Sequence, residues 1–161
     1  KAALLTSLAY RPQLLVLDEP FSGLDALVRD ELITGVLELH AAEGGTVFVS
    51  SHDIDEVERL ADWVGIINDG RLQMAEPIRS LQSRFRKIEA TFPGSETTTA
   101  LPAGGITLQT CGSGVKFVAT NYQPNLTEAE VRNVLGSCDH VAAHPMSLRD
   151  IFVALAKTYQ L

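Results

Sequence analysis

Apolar residues fall into blocks along the first part of the chain. Short apolar or β-branched runs occupy Leu14–Leu17 and Thr46–Ser50, and such runs are typical of parallel strands that are buried on both faces. Between the two runs, apolar residues recur at helical spacing, at Val28, Leu32, Val36 and Leu39. That spacing predicts one apolar stripe along a helix, and the glycine pair at residues 44–45 would end it. The pattern therefore predicts a strand–helix–strand unit of a parallel α/β sheet.

The next segment predicts a helix, a hairpin and a second short helix. Asp53 and Glu56 are three positions apart, as in a capping box at the start of a helix. Trp63–Ile67 is typical of a strand, and the turn residues at 68–70 predict a hairpin with the segment that follows. Pro77–Phe85 predicts a short helix with proline in its first turn.

Composition changes near residue 85, and the second part of the chain is richer in strand-like segments. The pattern predicts strands at residues 86–92, 106–110, 115–119 and 139–144, and helices capped by Thr127 with Glu130 and by Ser147 with Asp150. We therefore predict two domains. Residues 1–84 would form an α/β domain, and residues 85–161 a small, separate α+β domain.

Two adjacent carboxylates follow the first apolar run. Asp18 and Glu19 would lie at the carboxyl end of a parallel strand, where open α/β sheets bind ligands. On an extended chain they would point to opposite sides, so that one could hold Mg²⁺ through water and the other could face an attacking water. Alone, such a pair is more often an ordinary surface feature. The second run, however, ends in Ser51-His52-Asp53, which would bring a histidine beside the carboxylates.

Three motifs in this order resemble those of one family. The segment "LLVLDEP" (residues 14–20) resembles the Walker B strand of ATP-binding cassette (ABC) ATPases. "SGLD" (22–25) is similar to their D-loop and "SSHD" (50–53) to their H-switch. The continuation "DIDEVERLADWVGIINDGRL" is similar to the family too, so the resemblance covers roughly residues 1–80. It implies a fold that is part of a P-loop NTPase core.

The resemblance implies a role for each matching residue. Asp18 would bind the Mg²⁺ of Mg-ATP, mostly through water. Glu19 would be the general base that polarises the hydrolytic water, and His52 would contact the γ-phosphate. ATP and Mg²⁺ are therefore the expected ligands, and ATP hydrolysis the expected reaction, of the full-length protein.

The D-loop resemblance implies partners. Ser22, Gly23 and Asp25 would cross the interface of a nucleotide-sandwich dimer, with Asp25 coupling one active site to the other. The expected partners are a second nucleotide-binding subunit, as a homodimer, and a separate transmembrane permease subunit. The protein would then lie peripherally on the cytoplasmic face of a membrane.

Some family motifs do not occur in these residues. There is no G-x-x-x-x-G-K-S/T loop, which supplies backbone N–H groups and a lysine to phosphates. The glutamine loop and the Leu-Ser-Gly-Gly-Gln-type signature are absent as well. In the family that signature precedes a helix similar to "KAALLTSLAYRP". We therefore expect this chain to be the C-terminal fragment of a longer ATPase, inactive alone.

The last predicted helix narrows the family resemblance. "SLRDIFVALAK" (Ser147–Lys157) resembles the closing helix of the ATPase subunits of ABC-2-type exporters, which carry a C-terminal extension. An exporter ATPase subunit is thus the leading hypothesis, and residues 85–161 would have a regulatory or dimer-stabilising role. Two alternatives stay open. One is a soluble ABC ATPase without a transporter, and the other is a non-catalytic dimerisation module.

Charge and cysteine content argue against nucleic-acid binding, a disulfide-bonded fold and a zinc site. The chain has 13 Lys and Arg against 20 Asp and Glu, for a net charge of −7, so it would gain nothing from counterion release and nucleic acid is not an expected partner. Cys111 and Cys138 are too few for a disulfide framework. Cys138, His140 and His144 could suggest zinc. On a strand the two histidines would lie about 13 Å apart, too far to reach one metal. On a helix they would share a face, but zinc is not an expected ligand.

Overall fold

The computed structural model describes residues 10, 12–93, 100–111, 113–136 and 138–159. The segment "KAALLTSLAYRP", which is similar to a helix of the family, lies almost wholly outside this part. The described residues form, in chain order, β1 (Leu14–Asp18), α1 (Ala26–Glu43), β2 (Thr46–Ser50), α2 (Ile54–Leu60), β3 (Trp63–Asn68), β4 (Arg71–Pro77), α3 (Ile78–Arg84), β5 (Arg86–Thr91), β6 (Gly105–Cys111), β7 (Gly114–Ala119), α4 (Pro124–Leu135), β8 (His140–Pro145) and α5 (Leu148–Tyr159).

The mixed order of helices and strands confirms the predicted α/β class. The chain divides into two compact units, residues 1–60 and residues 61–161. The domain boundary that the sequence places between residues 84 and 85 stays a prediction. None of the described helices is both long enough and apolar enough to cross a membrane.

The first unit contains the predicted strand–helix–strand. β1 and β2 are parallel, in a register that runs from Leu14 opposite Thr46 to Asp18 opposite Ser50. α1 connects them and ends at Gly44, whose φ of 68° suits a glycine after a helix.

The apolar side chains of this unit depart from the predicted burial in two ways. On α1 the fully buried residues are Ile33 and Val36, while Val28 and Leu32 are half-buried. The side chain of Leu39 lies outside the described part. On the sheet, Val16 and Phe48 share a face and are 64% and 62% exposed, so the prediction that both faces are covered is wrong for this face.

The start of α2 also differs in detail from the capping-box prediction. The Asp53 carboxylate accepts a hydrogen bond from the N–H of Asp55 at 3.1 Å, which is a normal N-cap contact. The N–H of Asp53, however, donates to Ser51 Oγ at 3.0 Å. Glu56 does not reach back to it, because its carboxylate is held by Ser51 Oγ at 2.9 Å and by Arg29.

The second unit begins with the predicted hairpin. β3 and β4 are antiparallel, and Asn68 pairs with Arg71 across a two-residue turn. Asp69 and Gly70 have φ values of 48° and 69°, the positive pair that a type I′ hairpin turn requires. α3 follows directly, with Pro77 as its N-cap residue.

A four-stranded antiparallel sheet in the order β6-β7-β5-β8 forms the rest of this unit. Its central strands place Ile88 opposite Phe117 on one side and opposite Ala143 on the other. These side chains pack in one apolar cluster with Val131 and Leu135 of α4. This cluster is the core that the predicted α+β domain needs.

The two helices of this region test the capping predictions. Ser147 caps α5 as predicted, since the N–H of Asp150 donates to Ser147 Oγ at 3.1 Å. The predicted start of α4 is wrong, because the helix begins at Pro124, three residues before Thr127. Proline is favoured at a first helical position. Thr127 is buried inside the helix, and its Oγ1 accepts a hydrogen bond from the N–H of Gln123.

Candidate active site

The carboxyl ends of β1 and β2 are joined by hydrogen bonds at Asp18 and Glu19. Ser50 Oγ donates to the Asp18 carboxylate. The N–H of Glu19 donates to the carbonyl oxygen of Ser50 at 3.0 Å. The end of one strand therefore fixes the position of both acidic residues at the end of the other.

Glu19 does not continue the strand. Its φ of 46° lies in the left-handed region, which is uncommon for a residue other than glycine and often marks functional sites. The premise that Asp18 and Glu19 lie on an extended chain is therefore wrong. The chain turns at Glu19, and the two carboxylates have different partners.

Glu19 and His52 are in direct contact. His52 Nδ1 lies 2.8 Å from Glu19 Oε2, although 33 positions separate the two residues in the sequence. The Glu19 side chain is 37% exposed and that of His52 is 79% exposed, so the pair faces solvent at the sheet edge. The structure thus places the histidine beside the carboxylates, as expected for residues that end adjacent parallel strands.

The electrostatics of the pair favour protonated His52. The hydrogen bond to Glu19 raises the pKa of His52 above 6.5, and the negative charge of Glu19 raises it further. Asp53 and Glu56 add smaller contributions in the same direction, and desolvation opposes them. Between pH 6.5 and the raised pKa, the folded chain therefore holds a proton that the unfolded chain releases. Protonated His52 therefore stabilises the folded state below pH 6.5, and this stabilisation is lost as the pH rises through the pKa that His52 has in the folded state.

We expect the substitution Glu19→Gln to lower the pKa of His52 toward 6.5, because the amide carries no charge. The measurement is an NMR titration of the His52 ring protons in both proteins. Glu31→Gln, the same chemical change at an exposed position of α1, should leave the titration of His52 unaltered. An unchanged pKa in Glu19→Gln would show that the contact does not exist in solution.

The loop that follows Glu19 is a tight, exposed turn. The N–H of Ser22 donates to the carbonyl of Glu19 at 3.2 Å, and Gly23 has a φ of 71° that only glycine adopts at no cost. Phe21, which directly precedes Ser22 in the chain, is fully buried. The buried phenyl ring therefore anchors a loop whose residues Ser22 and Gly23 are exposed.

Asp25 ends this loop and starts α1. Its Oδ1 accepts a hydrogen bond from the N–H of Val28 at 3.0 Å, which makes Asp25 the N-cap residue of the helix. The structure thus brings Asp18, Glu19 and His52 together and links Ser22–Asp25 to them through the backbone. It assigns Asp25 a capping contact, and any role across a dimer interface stays a prediction.

Sequence reasoning missed Arg29, Ser50 and Glu56. Ser50 contacts Asp18 and Glu19, and Arg29 forms ion pairs with Asp53 and Glu56. Glu56 carried only a helix-capping signal, and no local pattern marks Arg29, whose partners Asp53 and Glu56 are distant in sequence. A serine in the H-switch-like segment was the one available signal, for Ser50.

The Asp18 carboxylate at this sheet edge could contribute to binding of Mg²⁺. No group of three or more His, Cys, Asp or Glu side chains within the described ranges could hold a metal ion. Mg²⁺ typically takes one or two protein carboxylates and completes its shell with phosphate oxygens and waters. The exposed Asp18 carboxylate therefore fits a Mg²⁺ ion that arrives with a nucleotide.

The side chains considered for a zinc site, Cys138, His140 and His144, lie in the second unit. His140 and His144 lie near the two ends of the extended strand β8. Cys138 is a free, buried thiol, and this burial raises its pKa. The side chain of Cys111 lies outside the described part.

Comparisons with known proteins find matches to the first part of the chain and to several ATP-binding proteins. A family model described as "AAA domain, putative AbiEii toxin, Type IV TA system" matches residues 1–58. The chain is 41% identical to molybdenum import ATP-binding protein ModC of Rhodobacter capsulatus over 83 residues, which are 52% of this chain and 23% of that protein.

Two further relatives carry related names. Bacitracin transport ATP-binding protein BcrA of Enterococcus faecalis is 37% identical over 81 residues, 50% of this chain and 26% of its own length. Sulfate/thiosulfate import ATP-binding protein CysA of Xanthomonas campestris pv. campestris is 43% identical over 96 residues, 59% of this chain and 28% of its own. The chain thus spans about a quarter of the length of the relatives it matches. Over about half of its own length it is similar to ATP-binding proteins of transporters.

Proposed function

We propose that this chain is part of the ATP-hydrolysing subunit of an ABC transporter. The observation that carries the proposal is the contact between Glu19 and His52 beside Asp18, at the carboxyl ends of two parallel strands. A base, a hydrogen-bonding group and a metal-binding carboxylate are what phosphoryl transfer to water needs from a protein, besides a phosphate-binding loop.

The proposed mechanism assigns a role to Asp18, Glu19 and His52. Asp18 would hold the Mg²⁺ that accompanies ATP, and the ion would supply charge neutralisation at the phosphates. Glu19 would accept a proton from the water that attacks the γ-phosphorus, while the bond from that phosphorus to the β–γ bridging oxygen breaks and ADP leaves. His52 orients the Glu19 carboxylate through Nδ1 and donates a hydrogen bond from its other ring nitrogen to the γ-phosphate.

The proposed partners follow from the exposed loop of Ser22, Gly23 and Asp25. We infer that this loop meets a second nucleotide-binding subunit, because its residues are exposed while the buried Phe21 and the cap contact of Asp25 anchor its two ends. The phosphate-binding loop that this reaction also needs does not occur in residues 1–161. The chain alone would therefore neither bind ATP tightly nor hydrolyse it.

The exporter subtype is a finer proposal. It is supported by Ser147–Lys157, which resembles the closing helix of ABC-2-type exporter subunits and forms α5 with its predicted cap. The names of the relatives include both import proteins and a bacitracin transport protein. The proposed location is the cytoplasmic face of a membrane, beside a separate permease subunit.

Purification of the full-length protein from its native membranes tests this proposal. We expect a hydrophobic membrane subunit to co-purify and the complex to hydrolyse ATP. ATP hydrolysis by a protein that binds no membrane subunit would instead favour a soluble ABC ATPase. A protein without ATPase activity that dimerises through residues 85–161 would favour the non-catalytic dimerisation module.

A further inference from the structure

Arg29 contacts two segments of the candidate site at once. It lies in the first turns of α1, and its side chain is 32% exposed. Nη2 donates a hydrogen bond to the carbonyl oxygen of Leu24 at 3.3 Å, in the loop of residues 22–25. Nη1 lies 3.5 Å from Asp53 Oδ2, and Nε lies 3.1 Å from Glu56 Oε1. One guanidinium therefore joins the loop after Glu19 to the segment after His52.

Glu56 extends this contact to the residues that flank His52. Its side chain is 9% exposed, and a buried carboxylate needs a charged or hydrogen-bonding partner. Arg29 is its charged partner, and Ser51 Oγ is its hydrogen-bond donor at 2.9 Å. Ser51 Oγ in turn accepts from the N–H of Asp53 at 3.0 Å. The residues on both sides of His52 are thus held by groups that contact Arg29.

The geometry suits arginine better than lysine. The three contacts leave Arg29 from three different nitrogens, in three directions. A planar guanidinium can make such contacts together, whereas the compact ammonium of lysine cannot. The contact from Nε to Glu56 is too poorly aligned to be a hydrogen bond, so the attraction there is between the two charges.

We propose that Arg29 is a positioning residue, which holds His52 in the orientation that contacts Glu19 and links that orientation to the loop of residues 22–25. This inference rests on the proposed function for its effect on catalysis. Its effect on the His52–Glu19 contact is independent of that function and can be measured separately.

The chain contains a matched control for this ion-pair network. Arg59 and Asp30 also join α2 to α1 by an ion pair. Their side chains are 51% and 58% exposed, and exposed pairs of this kind contribute little to stability. The side chains of Asp30 and Arg59 pair with each other, so changing them removes a similar bridge between the two helices while the contacts of Arg29 remain.

The first test measures the contact in the chain itself. Arg29→Lys keeps the charge but cannot make three contacts, so we expect the imidazole ¹⁵N NMR signals of His52 at fixed pH to shift toward those of a histidine without an Nδ1 hydrogen bond. Arg59→Lys should leave the His52 signals in place. Unchanged signals in Arg29→Lys would overturn the inference, whatever the protein does with ATP.

The second test measures catalysis in the full-length protein. We expect Arg29→Lys to lower kcat by about 10- to 100-fold, since a small misplacement of a reacting group has effects of this size, while KM for ATP changes by about twofold or less. In a His52→Ala background the same substitution should have an effect of about twofold or less, because the two residues act as one unit.

The outcomes separate this inference from the proposed function. Equal losses from Arg29→Lys with and without His52 would show that Arg29 acts independently of His52 and would overturn the positioning role. If Glu19→Gln abolishes turnover and Arg29→Lys does not alter it, the proposed function stands and the inference fails. Glu56→Gln, which removes the central partner of Arg29, should reproduce the loss if Arg29→Lys does not fold.

Discussion

Glu19→Gln in the full-length protein is expected to lower ATP turnover by about 10²- to 10⁴-fold, the usual contribution of a general base. The amide has nearly the shape of the carboxylate, but it cannot accept the proton of the attacking water. Because no charge is needed there to bind ATP itself, affinity should change by only a few-fold, and the ATP-bound dimer should accumulate.

Steady-state ATPase assays, nucleotide-binding measurements and size-exclusion chromatography with ATP check these three expectations. Glu31→Gln is the matched control, since Glu31 is exposed on α1, and it should keep wild-type turnover. Normal turnover in Glu19→Gln would refute the general-base role. Weakened binding with proportionate loss of kcat/KM would instead indicate that Glu19 acts in ATP binding.

Phe117→Ala is expected to lower the free energy of unfolding by about 3–5 kcal/mol, because it removes a large buried side chain and leaves a cavity. Phe117 is 2% exposed in the middle of β7. Its ring packs with Ile88 and Val131 in the apolar cluster of the second unit, and a Cβ on Gly105 would come within 3.3 Å of it. A loss of this size is a large part of the total stability of most domains.

Urea unfolding, followed by far-UV circular dichroism, measures this loss. Leu126→Ala, at a position of α4 that is 60% exposed, should change stability by about 0.5 kcal/mol or less. Equal unfolding midpoints for Phe117→Ala and the wild type would contradict the assigned core.

Most elements of the fold were predictable because their signals are local. Asp69 and Gly70 form the turn that their residue types favour, and Ser147 caps α5 through a contact three residues away. The start of α4 shows the limit of this reasoning. Thr127 with Glu130 has capping spacing, but Pro124 already satisfies the requirements of a first helical turn, and burial of Thr127 inside the helix was not visible in the sequence.

The sequence by itself determined most of the elements, the order of the motifs and the expectation that Asp18, Glu19 and His52 lie at one sheet edge. Parallel strands have their carboxyl ends at the same edge, so that expectation needs no knowledge of distant contacts. Only the tertiary structure decided the left-handed turn at Glu19, the pairing of its carboxylate with His52 and the network around Arg29. These features depend on side chains that are far apart in sequence, and their geometry is set by packing and charge rather than by local preference.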